Sequence, residues 1–391
     1  MPDNKNLKPG WKICRFDQMA TNVNVRIDNP SESGMEHYVG LEHLDSNSLK
    51  IRRWGTPDDV EATKLMFKKG DIIFGRRRAY QRKLGIAEFD GICSAHAMVL
   101  RAKPDVVLPE FLPFFMQSDL FMKRAVEISV GSLSPTINWK TMAAQEFALP
   151  PVEEQQRIVK LMRAIVEAIE THVEALACHE RMRRATQDDL LTGNRWAPDT
   201  GSDLPPGWNS QPLGSICELI NGFGFKPQDW RESGLPIIRI QNLNGSTQFN
   251  YFSGDVDPKF HVKNGDLLFA WAGVPGVSFG ARIWKGQEAV LNQHIFRVVP
   301  RGDVDRSWLF EVLNHITPAI ERRAHGFKTS LLHIKRSELV KMLVKVPPLH
   351  VQKEIAELSA DLTRTRQALD NRLLALKEIH RLTLTWTGGH A

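Results

Sequence analysis

The chain has 391 residues, 42% hydrophobic and 25% charged, with a formal net charge of +6. That length holds two or three domains at roughly 100–200 residues each, and the composition excludes disordered and fibrous classes. The mild basicity admits nucleic acid as a partner without requiring one, since a basic cytoplasmic protein can carry the same charge.

Met1-Pro2-Asp3-Asn4 starts a polar segment with no apolar run behind it, so no secretory signal is expected. Lys8-Pro9-Gly10-Trp11 then opens a first block that runs to Leu149. Within it Gly70-Asp71 is a turn delivering the short buried strand Ile72-Ile73-Phe74. Arg76-Arg77-Arg78-Ala79-Tyr80-Gln81-Arg82-Lys83 follows directly, with five cations in eight positions and no acid. A further strand is predicted over Ala97–Leu100, with helical segments from Pro109 to Val126 behind the strands. Gly131 leads a polar run containing Ser132, Ser134, Thr136, Asn138 and Lys140.

Leu149-Pro150-Pro151-Val152-Glu153-Glu154-Gln155-Gln156-Arg157-Ile158 opens a long helix, with Pro before it and Glu in its first turn as start signals. Ile158, Met162, Ile165, Ile169, His172 and Leu176 recur by fours and threes, flanked by Val159, Val166 and Val173. Gly193, after Leu190-Leu191-Thr192, can terminate it. Residues 194–207 are rich in turn formers and read as a linker.

The chain then says almost the same thing again. Leu204-Pro205-Pro206-Gly207-Trp208 answers the first opening, and a second block covers residues 208–345. Ile237–Leu243, with Gln241 and Asn242, sits against Tyr38–Leu44. Asn264-Gly265-Asp266-Leu267-Leu268-Phe269 sits against Lys69–Phe74, and Asn292-Gln293-His294 against Ser94-Ala95-His96. Gly326 and its polar run sit against Gly131 and its own. Strand Ile295–Val299 and helix Arg306–Ala324 complete the block. Val346-Pro347-Pro348-Leu349-His350-Val351-Gln352-Lys353-Glu354-Ile355 opens a second helix over 346–391. In it Ile355, Leu362, Leu369 and Leu376 recur every seven, with Leu358, Leu373 and Ile379 beside them. The offset between copies stays at 195–199 residues, far beyond the roughly 20–50 of a solenoid repeat.

The pattern predicts an α+β protein with two mixed α/β domains, residues 1–149 and 208–345, each followed by a long helix, residues 150–193 and 346–391. A helix of about 35 residues is about 50 Å long and needs a partner for its stripe. Internal pseudo-two-fold symmetry would pair the two helices as an antiparallel coiled coil, with the domains at opposite ends. Packing of each helix on its own domain, or homodimerisation, are the alternatives.

Catalytic motifs are missing. Pro150-Pro151 and Pro347-Pro348 lack the flanking polar and aromatic residues of an amino-methyltransferase motif. Asn221-Gly222-Phe223-Gly224-Phe225 reads as a turn rather than a cofactor loop. Gly326-Phe327-Lys328-Thr329-Ser330 imitates the end of a P-loop, but Glu321 stands where the leading glycine belongs. Asp58, Asp59 and Glu61 near Lys64 only loosely suggest a nuclease cluster. Cys14, Cys93, Cys178 and Cys217 form no C-x-x-C pair, and the thirteen histidines show no metal-ligand spacing. Cys178-His179 reads as helix surface. No stretch reaches the roughly 18 uninterrupted apolar residues of a membrane span, so the cytoplasm is the expected compartment. No catalytic, metal or cofactor site is expected in this chain.

Binding chemistry is present. Arg76, Arg77, Arg78, Arg82 and Lys83 can meet guanine edges or phosphates, Gln81 can pair with adenine, and Tyr80 can stack. A solvated basic loop is the alternative. The second block has the apolar Ala270–Gly276 at the equivalent place, where Trp271 is either a base contact or core. Lys328, Thr329, Ser330 and Lys335 match Ser134, Thr136, Asn138 and Lys140 as candidates for DNA contact, with ordinary turn chemistry as the alternative, and Gln241 and Asn242 join them.

Taken together, the two blocks, each closed by a Pro-Pro…Gln…Ile helix opening, the Leu190-Leu191-Thr192-Gly193 helix end and the paired Gly-Asp strands resemble the specificity subunit of a type I restriction-modification enzyme. The second helix end departs from the pattern with Trp386 and Gly388-Gly389. The resemblance implies that each block is a target-recognition domain for one half of a bipartite double-stranded DNA site, and that the helices set the gap. It further implies two methyltransferase subunits using S-adenosylmethionine on adenine, and restriction subunits using ATP and magnesium, with this chain non-catalytic. A stand-alone DNA methyltransferase or nuclease, and a coiled-coil scaffold that never touches DNA, are the competing readings. The contrast between Arg76–Lys83 and Ala270–Gly276 points to an asymmetric target.

Overall fold

A computed structural model describes residues 7–196, 204–324 and 332–385. They fall into two compact units: the first runs to Glu174 and resumes at Asn371, and the second is Ala175–Asp370. The first unit contains strands β1 (Lys12–Arg15), β2 (Ala20–Val23), β3 (Arg26–Ile27), β4 (Tyr38–Val39), β5 (Lys64–Phe67), β6 (Ile72–Gly75), β7 (Leu84–Ile86), β8 (Gly91–Ser94), β9 (Ala97–Ala102) and β10 (Glu146–Leu149). The second contains β11 (Asn209–Pro212), β12 (Cys217–Asn221), β13 (Leu235–Ile238), β14 (Asn250–Phe252), β15 (His261–Val262), β16 (Leu267–Ala270), β17 (Ala272–Gly273), β18 (Gly280–Ile283), β19 (Ala289–Leu291), β20 (Ile295–Pro300), β21 (Leu332–His333) and β22 (Leu343–Val346).

The duplication is one of topology as well as sequence. In the first unit β1 pairs antiparallel with β10, so the block's two ends meet; β11 and β22 do the same in the second. A four-stranded sheet β2-β9-β6-β7 is matched by β12-β20-β16-β18. A second sheet holds β5-β8-β4, with β4 parallel to β8, matched by β15-β19-β13 with β13 parallel to β19. The fourth strand of this sheet is added differently: β3 beside β5 in one unit, β14 beside β13 in the other. The Gly-Asp turns do what their sequence predicts. Gly70 and Gly265 have φ +91 and +90, the left-handed region that glycine enters without strain. Asp71 then accepts from the Lys68 amide at 2.8 Å, and Asp266 from the Lys263 amide at 2.8 Å.

The Pro-Gly-Trp and Pro-Pro motifs belong to one device. Gly10 and Gly207 take φ +80 and +79, and a side chain added there would meet Pro151 at 3.5 Å or Pro348 at 3.0 Å. Trp11 and Trp208 are thereby buried, and the Trp11 indole donates to Glu154 Oε2 at 3.1 Å. The repeated glutamine is buried too. Gln155 Nε2 donates to the Pro150 carbonyl at 2.9 Å, and Gln352 Nε2 to the Pro347 carbonyl at 2.9 Å.

The first long helix is Val152–Thr192, 41 residues, and the second is Leu349–Leu384, 36 residues. Gly193 (φ +81) ends the first. In the first unit Leu384, at the end of the second helix, shares an apolar cluster with Ile158 and Met162 at the start of the first. In the second unit Leu190 and Leu191, at the end of the first helix, share a cluster with Val351 and Ile355 at the start of the second. Within each unit, then, one helix opening lies with the other helix's end, as antiparallel pairing requires. Met162, Ile165 and Ile355 are buried, and Ile158, Ile169, Leu176, Leu362, Leu369 and Leu376 are half-buried. Burial stops short of the whole predicted stripe: Val173 and Ile379 are about half exposed, at 48% and 49%. The helical segment after Pro109 is broken at Ser118, whose extended ψ of 152 ends Phe111–Gln117 and whose hydroxyl caps Asp119–Glu127. Residues 197–203, half of the linker, and Trp386 and Gly388-Gly389 lie outside the described residues.

Candidate nucleic-acid interface

The strand β6, between β9 and β7 in its sheet, ends at Gly75, and the basic run leaves that strand end as a knuckle. A 3-10 turn, Ala79–Gln81, is flanked by Arg78 and Arg82, both left-handed at φ 57 and 54. Such a conformation costs a non-glycine residue about 1–2 kcal/mol, so the surroundings must hold it. They do: the Arg78 amide donates to the Pro135 carbonyl at 2.8 Å, and the Ile137 amide to the Arg76 carbonyl at 3.0 Å. The backbone thus joins two separately predicted elements, the basic run and the polar run after Gly131.

Side chains complete the junction. Arg77 Nη2 and Arg78 Nε both donate to Ser134 Oγ at 3.2 Å. Arg77 Nη1 lies 3.3 Å from Nε2 of His96, and Arg76 Nη2 donates to the Ala95 carbonyl at 3.0 Å. Burial and the neighbouring Arg77, Arg76 and Lys64 charges hold the His96 pKa below its ordinary value, so its ring is neutral near pH 7 and accepts from Arg77. Among the described residues no carboxylate pairs with Arg76, Arg77 or Arg78. Tyr80 is 54% exposed at the head of the knuckle, with Gln81 half-buried behind it. Asn138 and Lys140 are exposed, although the Asn138 side chain is engaged in accepting from the Lys140 amide.

Two members of the run belong to the domain's structure instead. Arg82 pairs with Asp119 at 2.7 Å, bonds Asn47 Oδ1 at 2.8 Å and donates to the Gln117 carbonyl. Lys83 donates to the Leu41 carbonyl at 2.6 Å. Both were predicted as DNA contacts; their donors are turned inward onto partners that a ligand would have to displace.

The second unit builds the same junction from other side chains. Here the residue after β16 is Trp271. Its carbonyl accepts from the Ile334 amide at 3.1 Å, as Arg76 accepts from Ile137, and β17 pairs with β21. Trp271 stacks on Phe296 at 5.6 Å, meets the His294 ring edge-on at 5.4 Å, and donates from its indole to Asn221 Oδ1 at 3.3 Å. It is half-buried, so part of the ring belongs to the core and part faces solvent. Burial, then the His333 charge, lower the His294 pKa. Lys335 and Gln241 are exposed. Asn242 is not: it is buried, its Oδ1 accepts from the Arg239 amide at 3.0 Å, and its Nδ2 donates to the Ser246 and Gln248 carbonyls. That counts against its assignment as a DNA contact, because both its amide protons and its carbonyl serve its own turn. Lys328, Thr329 and Ser330 lie outside the described residues.

His96, His294, His333 and Asn221 were not among the predicted contacts. The echo of Ser94-Ala95-His96 in Asn292-Gln293-His294 was the signal that could have found the first pair, since each sits in the turn between β8 and β9 or between β19 and β20.

The rejected catalytic candidates have structural occupations. Asp59 accepts from the Thr56 amide and hydroxyl at 2.6 and 2.9 Å, which lowers its pKa, while buried Lys64 donates to the Glu61 and Ala62 carbonyls. Cys178 is exposed, but His179 is buried, contrary to its prediction as helix surface. A side chain on Gly222 would fall 2.1 Å from the Asn292 carbonyl oxygen, so that loop is packed against backbone. Among the described residues no His, Cys, Asp and Glu cluster could hold a metal, and no helix is long and apolar enough to cross a membrane.

A model of the type I restriction modification DNA specificity domain matches twice, over residues 29–176 and 205–378. The EcoDI and EcoBI specificity subunits of Escherichia coli are 31% and 28% identical over 47% and 45% of this chain, and the chain spans about two fifths of their length, 41% and 38%. The MjaVIII specificity subunit of Methanocaldococcus jannaschii is 22% identical over 89% of this chain and 84% of its own. Solved structures are similar in fold. A chain of a type I R-M system matches with a TM-score of 0.67 at 24% identity over 97% of both chains. The HsdS subunit from Thermoanaerobacter tengcongensis matches with 0.56 at 23% over 99% of both.

Proposed function

The chain belongs to the type I restriction modification DNA specificity family, and from that premise we propose that it is the subunit that reads a bipartite, asymmetric double-stranded DNA target. It carries no catalysis itself. It directs adenine methylation and cleavage by methyltransferase and restriction subunits, the former two in number. S-adenosylmethionine, ATP and magnesium are bound by those partners, in the cytoplasm. The observation that carries this reading is the junction built twice. The end of a central strand, a histidine turn and a later segment converge in each unit, with uncompensated arginines in the first and Trp271, His294 and His333 in the second. Arginine suits bidentate guanine or phosphate contact, and an indole with two imidazoles suits stacking and single hydrogen bonds. Different furniture on one frame supports two different half-sites.

The test is Arg77→Ala with Arg78→Ala in the assembled complex, on a duplex whose target is first mapped by host methylation. Loss of a bidentate base contact costs about 1–3 kcal/mol and relaxes specificity at that position. Unchanged affinity and site preference would refute the knuckle as the reading surface.

A further inference from the structure

Leu133 is 90% exposed and Val130 79% exposed, the two largest exposures among the large hydrophobic side chains of the described residues. They sit on one hairpin. Val130 and Thr136 exchange backbone bonds at 3.1 and 2.9 Å, and Gly131 turns the chain at φ +117. The tip is held from below as well, since Ser134 Oγ takes bonds from Arg77 and Arg78, and Thr136 Oγ1 donates to the Ser134 carbonyl at 3.1 Å. An apolar side chain is therefore presented on a narrow, preordered turn whose base is ringed by unpaired guanidinium charge.

That combination selects its occupant. An apolar protein pocket would not be matched by uncompensated arginines at its rim, whereas a duplex offers phosphates to the cations and a base stack to the leucine. Apolar side chains on such loops enter base steps and partly unstack them, and the cost of opening depends on the step, so specificity arises without a hydrogen bond to a base. We propose that Leu133 inserts into the base stack of the first half-site, with Arg77 and Arg78 on the flanking phosphates or base edges. The inference rests on the DNA-reading function above. It assigns Leu133 a positioning and specificity role by deformation, separate from direct readout by the arginines.

The assembled complex is bound to its mapped target carrying, one at a time, 2-aminopurine for each adenine or pyrrolocytosine for each cytosine of both half-sites. Away from the target adenines, which the methyltransferases extrude in either case, a rise in fluorescence confined to one step of one half-site is expected. Leu133→Ala should abolish it and weaken specific binding about tenfold, and Leu133→Met should restore most of both, while binding to random-sequence duplex is unchanged. At this exposure neither variant should move the melting temperature. Tight binding with flat fluorescence at every position other than the target adenines, or a signal at such a position that survives Leu133→Ala, overturns the wedge and leaves the DNA reading standing. Failure of the wild-type complex to bind DNA overturns both. A Leu133→Ala chain that assembles poorly with its methyltransferase, its fluorescence signal intact, makes the tip a protein contact instead.

Discussion

Gln155→Ala should destabilise the first unit far more than its single lost side chain suggests. Gln155 is 1% exposed at the helix opening. Its Nε2 donates to the Pro150 carbonyl and its Oε1 accepts from the Leu108 amide, both at 2.9 Å. It therefore ties the strand end, the helix start and the loop before Phe111–Gln117 together. Alanine leaves the buried Pro150 carbonyl without its partner, at about 1–3 kcal/mol, and the part-buried Leu108 amide without its own, at less, and opens a small cavity besides. A total of about 2–4 kcal/mol should lower the melting transition of a unit of this size by roughly 5–15 °C. Calorimetry of the full chain measures it. Gln352→Ala is the internal control, because Gln352 repeats both bonds, to the Pro347 carbonyl at 2.9 Å and from the Asp305 amide at 2.8 Å. The two alanines should lower different transitions, separable by limited proteolysis of each unit. Losses under about 0.5 kcal/mol, the scatter of ordinary surface changes, would refute the tie.

Asn242→Ala should cost about 2–3 kcal/mol, read by denaturant unfolding, because three backbone groups lose their partner; a changed base preference with unchanged stability would restore it as a contact. In the native isolated chain only Cys178 should react with a thiol reagent, since Cys14, Cys93 and Cys217 are buried and burial pushes the Cys93 and Cys217 thiols up to about 12; mass spectrometry of labelled peptides counts the modified sites. Arg77→Ala should raise the His96 pKa toward its ordinary value by removing a neighbouring positive charge, which a histidine proton NMR titration follows; an unmoved titration would refute the Arg77 contribution and leave burial, with Arg76 and Lys64, to set it.

The repeat made the architecture legible. Gly-Asp before three apolar residues, Pro-Gly-Trp, and Pro-Pro with a glutamine four or five residues on are local devices whose geometry follows from residue type: glycine for positive φ, proline for a missing amide, glutamine for a two-ended tie. Such devices can be read from one sequence. The candidate interface was legible only in part, because exposure of a side chain is decided by tertiary neighbours. Arg82 sits in the same run as Arg77, and nothing local says that Asp119, 37 residues away, claims it. Asn242 reads as a candidate DNA contact, but its amide closes a turn formed by Arg239, Ser246 and Gln248. His96 and His294 were visible as an echo and passed over, since a lone histidine in a turn carries no signal until its neighbours are placed.

The two junctions also explain how one frame can hold unlike contents. Their convergence is made by main-chain bonds: Ile137 to Arg76 and Arg78 to Pro135 in one unit, Ile334 to Trp271 and the β17–β21 pair in the other. Main-chain bonds are indifferent to the side chains they carry, apart from glycine and proline. A position such as Arg76 or Trp271 can thus change from cation to indole without dissolving the edge that presents it. The penalty for change falls instead on buried ties such as Gln155, Gln352 and Asp71, which take no part in the junction. Exchanging residues 76–81 alone would therefore be less informative than exchanging them with 94–96 and 131–140, because Ser134, His96 and Ala95 hold the arginines in place. On the proposed function, recognition on this frame is a property of three segments together: changing one should weaken or relax a half-site preference, and only exchanging all three should transfer it.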